Sequence, residues 1–520
     1  MGKSVPTVAC LVRNSVSHDA RVLKEAEALV SAGYRVVIVG VQDRKVSTAT
    51  EVLPSGLRII RVPMPQAMLA QRYARQARVW SIAGCAVFGA VAMLLPWWVP
   101  ARDMIRAWVT AHVWDLALLL PVVSMLAVGA HAIRRAVRSY ASTRIKRREL
   151  AGIGAVDGSV ASAVKHRLRG AVQLRSAIGI HRNSRVIAEL MQAELDRIRP
   201  DAVHCHDLPT LPVGAAWRRR HPQAKVVFDS HEIYDSVSQM PRAAAWIWRR
   251  MLRRHAQEVD LFITINDSIA GLLRQRDPVL PPAVVIRNAA RLPTTAVRPD
   301  GRLRAAAGIE SGQRVLLYQG GFQSGRGLPQ LLRAAMTMPP GWMLVMMGFG
   351  SMESELRGLA ARIDPDSRRI RFIPPAPHAE LVHWTADADL GLIPYENTCL
   401  NHWFCSPNKL WEYPVAGVPM LVSPFPELRA TVERHGVGRC LPEPLDADGL
   451  AETLNSIGAE ELRAMRQNCR RYLEHDHWGV YAERLVEAYR GLLDHGRAVT
   501  ADTLNLECVS SPSSEPAPSS

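Results

Sequence analysis

The 520-residue chain is 48% hydrophobic and 22% charged, an ordinary globular balance outside one apolar segment, and its length suits about two to four domains. Its 64 Lys+Arg against 48 Asp+Glu give a net charge of +16, which favours anionic partners such as a nucleotide, nucleic acid or an anionic membrane face. The eight cysteines are scattered; Cys399 and Cys405 lack the spacing and the second pair of a zinc knuckle, so reduced intracellular thiols are expected.

From the N-terminus, no apolar run follows Lys3, so the first residues do not read as a signal peptide, and Pro6 stands where a myristoylation signal needs serine or threonine. Val8–Val12 reads as a strand. Asp19–Leu29 has helical spacing at Val22, Leu23, Ala26 and Leu29, with Gly33 ending it. Arg35–Val41 and Leu57–Val62 read as further strands, the first apolar throughout as in a parallel sheet.

Trp80–Val99 is an uncharged apolar run of about 20 residues, the length that spans a bilayer as a helix. Ala107–Ile133 is a second, interrupted only by His112, Asp115 and His131. Arg72, Arg75 and Arg78 precede the pair, and a cluster from Arg134 to Arg148 follows it, so a hairpin with both ends cytoplasmic is expected. The basic flanks also suit anionic lipid headgroups. A re-entrant hairpin or a buried helical pair would share this pattern, and Asp115 with His112 argues against deep lipid exposure of the second helix.

Beyond the hairpin, helix and strand alternate: helix His181–Arg199, strand Ala202–His206, helix Leu211–Arg220, strand Lys225–Asp229, helix Trp246–Gln257, and strands Leu261–Ile265 and Val284–Asn288. A second series begins near Arg314 with strand Val315–Gly320, helix Leu328–Met336 and strand Trp342–Met347, then strands Arg369–Ile373, Leu390–Ile393 and Met420–Ser423. It closes with a helix over His477–Leu493. The expected fold class is α/β, with two Rossmann-like domains and the apolar hairpin inserted in the first. Expected boundaries are 1–285 (hairpin about 79–133), 286–475, a helix at 476–499 packing back on the first domain, and a Ser/Pro-rich disordered tail at 500–520. Two open sheets facing each other place a ligand cleft at their strand carboxyl ends.

The stretch Ser406–Pro419 carries the most chemistry. Ser406 can cap a helix, Pro407 suits its first position and Gly417 its left-handed exit. Such a helix start attracts phosphate. Glu412 cannot favour phosphate, so sugar hydroxyls are its natural partner, and phosphate plus ribose means a nucleotide.

The order of segments resembles the retaining glycosyltransferases of the sucrose-synthase-like family 4, which have the GT-B fold. The residues that carry the resemblance are Asp19–Ala26, His204-Cys205-His206-Asp207, Asp229-Ser230-His231-Glu232 and Val285–Asn288 in the first half. In the second half they are Tyr318-Gln319-Gly320, Arg326-Gly327, Met347–Gly350 and Pro407–Tyr413. The resemblance implies that Arg326 and Lys409 bind the donor phosphates, that Glu412 grips the ribose and that His231 lies beside the donor sugar. As catalytic residues it marks His231, Arg326 and Lys409. Gly320, Gly348, Gly350 and Asn408 join Arg326, Lys409 and Glu412 as donor-binding residues. Asn14, Asp19 and His206 are expected on the acceptor side. The structural alternatives are a loop cation for Arg326, a surface ion pair for Lys409, a solvent-facing carboxylate for Glu412 and a core histidine for His231; Asp207 suits a helix cap equally well.

Three departures from the family pattern stand out. The first loop, Arg13–His18, has no glycine pair, Gly320-Gly321 replaces Gly-Arg, and Phe404 occupies the first position of a glutamate pair, leaving sugar contacts to Asn401, His402 or backbone N–H groups. Asp387-Ala388-Asp389 has a metal-binding spacing but no supporting ligands, so cap and turn roles and no essential metal or cofactor are expected. No Gly-x-Gly-x-x-Gly follows the first strand, which disfavours a nicotinamide dehydrogenase, and no aromatic–basic motif supports nucleic-acid binding. The expected activity is transfer of a sugar from a nucleotide-sugar donor to a lipid-linked or cell-envelope glycan. It would take place at the cytoplasmic face of the inner membrane, with membrane lipid as a further partner. The alternative is a catalytically weak membrane scaffold that binds nucleotide sugar.

Overall fold

The computed structural model describes residues 5–17, 19–43, 46–63, 184–238, 240 and 242–493. The hairpin expected at about 79–133 and the tail at 500–520 lie outside the described residues. Among the described residues, no helix is long and apolar enough to cross a membrane.

Strand β1 (Thr7–Leu11) sends Val8 and Cys10 into one hydrophobic core and Ala9 and Leu11 into another. Successive strand side chains point to opposite faces, so a strand covered on both sides reads as one apolar run. Around β1 lie β2 (Arg35–Val41), β3 (Thr50–Val52), β4 (Arg58–Val62), β5 (Ala202–His206), β6 (Lys225–Ser230), β7 (Leu261–Thr264) and β8 (Ala283–Val285). The sheet order is β3-β4-β2-β1-β5-β6-β7-β8, parallel except for β3 against β4. The second sheet contains β9 (Arg314–Gly321), β10 (Trp342–Phe349), β11 (Ile370–Ile373), β12 (Leu390–Ile393), β13 (Met420–Val422) and β14 (Gly438–Cys440). Its order is β11-β10-β9-β12-β13-β14, and the same alternation splits Val315 and Leu317 from Leu316 and Tyr318. In both sheets the order reverses beside the first strand, at β1/β5 and at β9/β12, the place where open sheets hold ligands.

Most elements fall close to their expected bounds. The helix expected from Trp246 begins earlier, at Arg242, and runs to His255, because its first turn is exposed and leaves no core pattern to read. Strand β8 ends at Val285, before the expected Asn288. The closing helix Trp478–Leu493 returns to the first sheet: Tyr489 Oη lies 2.9 Å from His204 Nδ1, and Arg484 donates to the Val285 carbonyl at 3.2 Å.

Helix Ala20–Ser31 is tied through the core by Arg21. Its guanidinium donates to both carboxylate oxygens of Asp229 (2.9 and 3.1 Å from Nη2) and to the Ile286 carbonyl (2.6 Å), and it pairs with Glu25 at 2.9 Å. Removing one partner of a buried ion pair strands the other charge. Arg21→Ala is therefore expected to lower unfolding stability by about 3–5 kcal/mol, measured by denaturant titration.

Candidate functional site

Between the carboxyl ends of the two sheets lies a cavity of about 810 Å³, lined from the first half by His231 and Glu232 and from the second by Gly320, Arg326, Lys409 and Glu412. A contiguous recess of about 630 Å³ shares His231, Asn408 and Glu412 and adds Asn14, Asp19 and Arg21. Of the expected catalytic, donor-binding and acceptor-side residues, all but His206 line these two spaces.

The helix carrying Lys409 and Glu412 spans Lys409–Val415, with Asn408 at its start and no side-chain cap. The expected cap by Ser406 does not form, because Asn266 from the first half takes its hydroxyl, with Nδ2 3.0 Å from Ser406 Oγ. Glu412 sits in the first turn of this helix. The helix exit is as expected: Gly417 has φ +72°, and Val418 N bonds the Tyr413 carbonyl at 2.9 Å.

Arg326 and Lys409 converge on one phenol. The Arg326 guanidinium lies 4.0 Å from the Tyr395 ring centre, and Lys409 Nζ lies 3.4 Å from Tyr395 Oη. Both cations are half-buried, and among the described residues neither has a carboxylate in ion-pair range. Gly320 (φ +119°) admits the lysine, since a Cβ there would sit 3.0 Å from Nζ. Gly348 and Gly350 serve strand packing instead: a Cβ would come within 2.0 Å of the Gly320 carbonyl oxygen and 2.3 Å of the Phe322 carbonyl oxygen, respectively.

Gln319 fixes the carboxylate of Glu412. Its amide donates to Glu412 Oε2 at 2.9 Å, while its oxygen accepts from Thr385 Oγ1 at 2.7 Å. Asn408 is engaged across the cleft, accepting from Asn288 Nδ2 at 2.8 Å; Asn288 in turn accepts from Lys24 Nζ at 2.8 Å. Gln319 and Lys24 fall within segments that carry the resemblance but have no site role read from the sequence, and Tyr395 lies outside them. Gln319 does break the apolar run of β9, which is the one local signal among the three.

In the first half, His231 spends both ring nitrogens on carboxylates: Nε2 lies 2.8 Å from Asp229 Oδ2 and Nδ1 lies 3.4 Å from Asp207 Oδ2. Burial opposes its charge, but Asp207 and Asp229 outweigh burial and hold its pKa well above the ordinary histidine value. With a carboxylate facing each ring nitrogen, the charged imidazolium is favoured and no ring nitrogen is left open to act as a general base. Asp207 caps no helix. Its φ of +70° turns the carboxylate onto the His231 backbone N–H at 3.0 Å. His206 lies beneath the cleft, 1% exposed and stacked on His204 with ring centres 4.1 Å apart, so it cannot meet an acceptor directly. Asn14 and Asp19 bond each other at 2.7 Å, and Asp19 also caps helix Ala20–Ser31 through Val22 N at 3.2 Å.

The departures from the family pattern have physical counterparts. The Phe404 side chain packs against the first-sheet core, and its carbonyl accepts from Asn266 at 2.8 Å. Asn401 is taken up by the backbone of Ile233 at 2.6 and 3.2 Å. Asp387 accepts three backbone N–H groups at 2.8–3.0 Å, and Asp389 binds Val315 N, Arg304 and Arg466. Two described groups could hold a metal ion: Glu25, His204, His206 and Asp229, or Cys10 with the two histidines. All of these are buried away from the cleft. Asp229 is already occupied by Arg21 and His231.

Residues 159–292 match the Glycosyltransferase Family 4 profile. A D-inositol 3-phosphate glycosyltransferase from Thermobispora bispora is 29% identical over 212 residues, which are 38% of this chain and 47% of that protein, so the chain spans about half the length of this curated relative. Sucrose-phosphate synthase from Thermosynechococcus elongatus superposes with a TM-score of 0.61 and 14% identity, over 94% of this chain and 100% of that one. The Anabaena protein HepE in complex with UDP and glucose gives 0.57 at 11% identity, over 94% and 100%. The chain has the GT-B glycosyltransferase fold. Within it, the family 4 match covers strands β5 to β8, which carry His231 to the cleft and Asp207 and Asp229 behind it.

Glu25 is the proton-sensitive member of the buried cluster. Burial raises its pKa to about 7, with Arg21 pulling the other way and Asp229 adding to the rise. A carboxyl group whose folded pKa lies above its unfolded value stabilises most below the unfolded value, and that contribution is lost as pH rises through the folded one. The stability of the native chain is therefore expected to fall between about pH 4.5 and pH 7. Glu25→Gln should flatten this part of the profile, read as thermal midpoints across pH.

Proposed function

We propose that the chain is a retaining glycosyltransferase that moves a sugar from a nucleotide-sugar donor to a lipid-linked or cell-envelope glycan at the cytoplasmic membrane face. The observation that carries this reading is the pair of half-buried, unpaired cations, Arg326 and Lys409, beside the positioned carboxylate of Glu412. A nucleoside diphosphate answers each feature: its phosphates neutralise the cations and its ribose hydroxyls donate to Glu412. The complexes of HepE with UDP, glucose and UDP-glucose support the nucleotide-sugar part, and the basic-flanked apolar runs of the sequence support the membrane part.

Breaking the anomeric bond leaves charge on the diphosphate, and preorganised cations stabilise it most as it develops. Arg326 and Lys409 supply this charge from the protein, so no metal is needed for the step. With both His231 nitrogens committed to carboxylates, the acceptor hydroxyl entering from the Asn14/Asp19 side gives its proton to the departing diphosphate oxygen on the same face. Retention of configuration follows from that shared face.

A nucleotide-sugar-binding scaffold is the second reading, favoured by Phe404 and Gly321 at positions where the family pattern has charged side chains. Detergent-purified protein is screened against nucleotide sugars with a membrane lipid extract, and nucleoside diphosphate release is measured. We expect release from one donor, insensitive to EDTA and reduced about 100-fold or more in Lys409→Ala and Arg326→Ala. Glu412→Ala should mainly weaken donor binding. Tight nucleotide binding without release from any donor would favour the scaffold.

A further inference from the structure

Helix Arg242–His255 is 14 residues long and contains five arginines and no acidic residue. Its inner face packs Leu252, Trp248 and Met251 onto the first-sheet core. Its outer face should be polar if it only met water. Instead, Trp246 is 61% exposed at its centre and Ile247 is 38% exposed beside it. Residues three, four and seven apart share a helix face, so Trp246 is ringed by Arg242, Arg249, Arg250 and Arg253. The Arg250 guanidinium lies 5.6 Å from the Trp246 ring.

The charges on this face are unevenly satisfied. Arg249 pairs with Asp235, and Arg253 with Asp277 at 3.5 Å. Among the described residues, Arg242, Arg250 and Arg254 have no carboxylate partner. A large exposed aromatic flanked by the unpaired Arg242 and Arg250 on a surface-lying helix matches an interface that is apolar below and anionic above. The loop that leads from His231 toward this helix borders the cleft: Val237, 38% exposed, lines the cavity together with Ser238.

We infer that the outer face of helix Arg242–His255 docks on an anionic lipid surface, with Trp246 and Ile247 at the headgroup boundary and Arg242, Arg250 and Arg254 on lipid phosphates. Docked this way, the mouth of the cleft next to Val237 opens toward the bilayer, where a lipid-linked acceptor would present its head. The inference deepens the membrane-face reading above. Its test uses no donor, so failure of docking and failure of turnover are read separately.

The full chain is incorporated into vesicles of phosphatidylcholine with or without phosphatidylglycerol, both carrying acyl chains brominated near the headgroup. The Trp246 signal is the difference in fluorescence quenching between the native chain and Trp246→Phe. We expect quenching at Trp246 in phosphatidylglycerol vesicles and its loss in phosphatidylcholine alone. Arg242→Gln, Arg250→Gln and Arg254→Gln together retain Trp246 and lie on an exposed face. At about 1 kcal/mol per arginine near an anionic surface, they should lower the docked-to-undocked ratio on the order of 100-fold, which abolishes the signal. Quenching absent from both vesicle types, equal in both, or unchanged by the triple substitution would overturn the inference. If Trp246 is shielded from a soluble quencher while light scattering shows a dimer, the face belongs to a second copy of the chain instead.

Discussion

The buried carboxylate of Asp229 is the constraint around which the first half is arranged. It lies one residue before the end of β6 with no solvent exposure, so its charge survives only because Arg21 and His231 both face it. Burial pushes its pKa up, yet those two cations outweigh burial and hold it well below the usual carboxylate value. Each partner transmits the constraint outward. Arg21 fixes helix Ala20–Ser31 and, through the Ile286 carbonyl, the segment that leaves the first sheet. His231 fixes the loop that forms one wall of the cleft, and Asp207 holds the same histidine from the next strand.

The second half treats charge in the opposite way. Where Asp229 is fully matched within the protein, Arg326 and Lys409 are left facing Tyr395, whose ring offers a weak electrostatic partner and no neutralising charge. Glu412, by contrast, is steadied by Gln319. The cleft thus joins a rigid, internally neutralised wall to a wall with charge to spare, an arrangement suited to holding an anionic leaving group against a fixed acceptor side.

Much of the scaffold was legible because sheets covered on both faces print as continuous apolar runs; β1, β2, β9 and β12 are read this way within a residue or two. Local signatures failed where a distant partner competed for the same atoms. Ser406 has the neighbours of a helix cap, but Asn266, far away in sequence, takes its hydroxyl. Asp207 could cap the next helix, yet its left-handed backbone turns it to His231. His206 sits at a strand end, where a site residue is expected, but strand alternation sends it into the core with His204, under a tyrosine from the last helix. The unpaired state of Arg326 and Lys409 has no sequence signal at all, because it depends on which carboxylates the fold leaves out of reach.

The most direct test of this account is the protonation state of His231. The chain would be labelled with 15N-histidine, and the resonance assigned by its loss in His231→Asn. With Asp229 and Asp207 both facing the ring, the nitrogen shifts at pH 7.5 should be those of an imidazolium, and they should become so in Asp207→Asn only at lower pH. A neutral imidazole at pH 7.5 in the native chain would contradict the account, because Asp229 would then lack half of its matching charge and His231 would be free to act as a base.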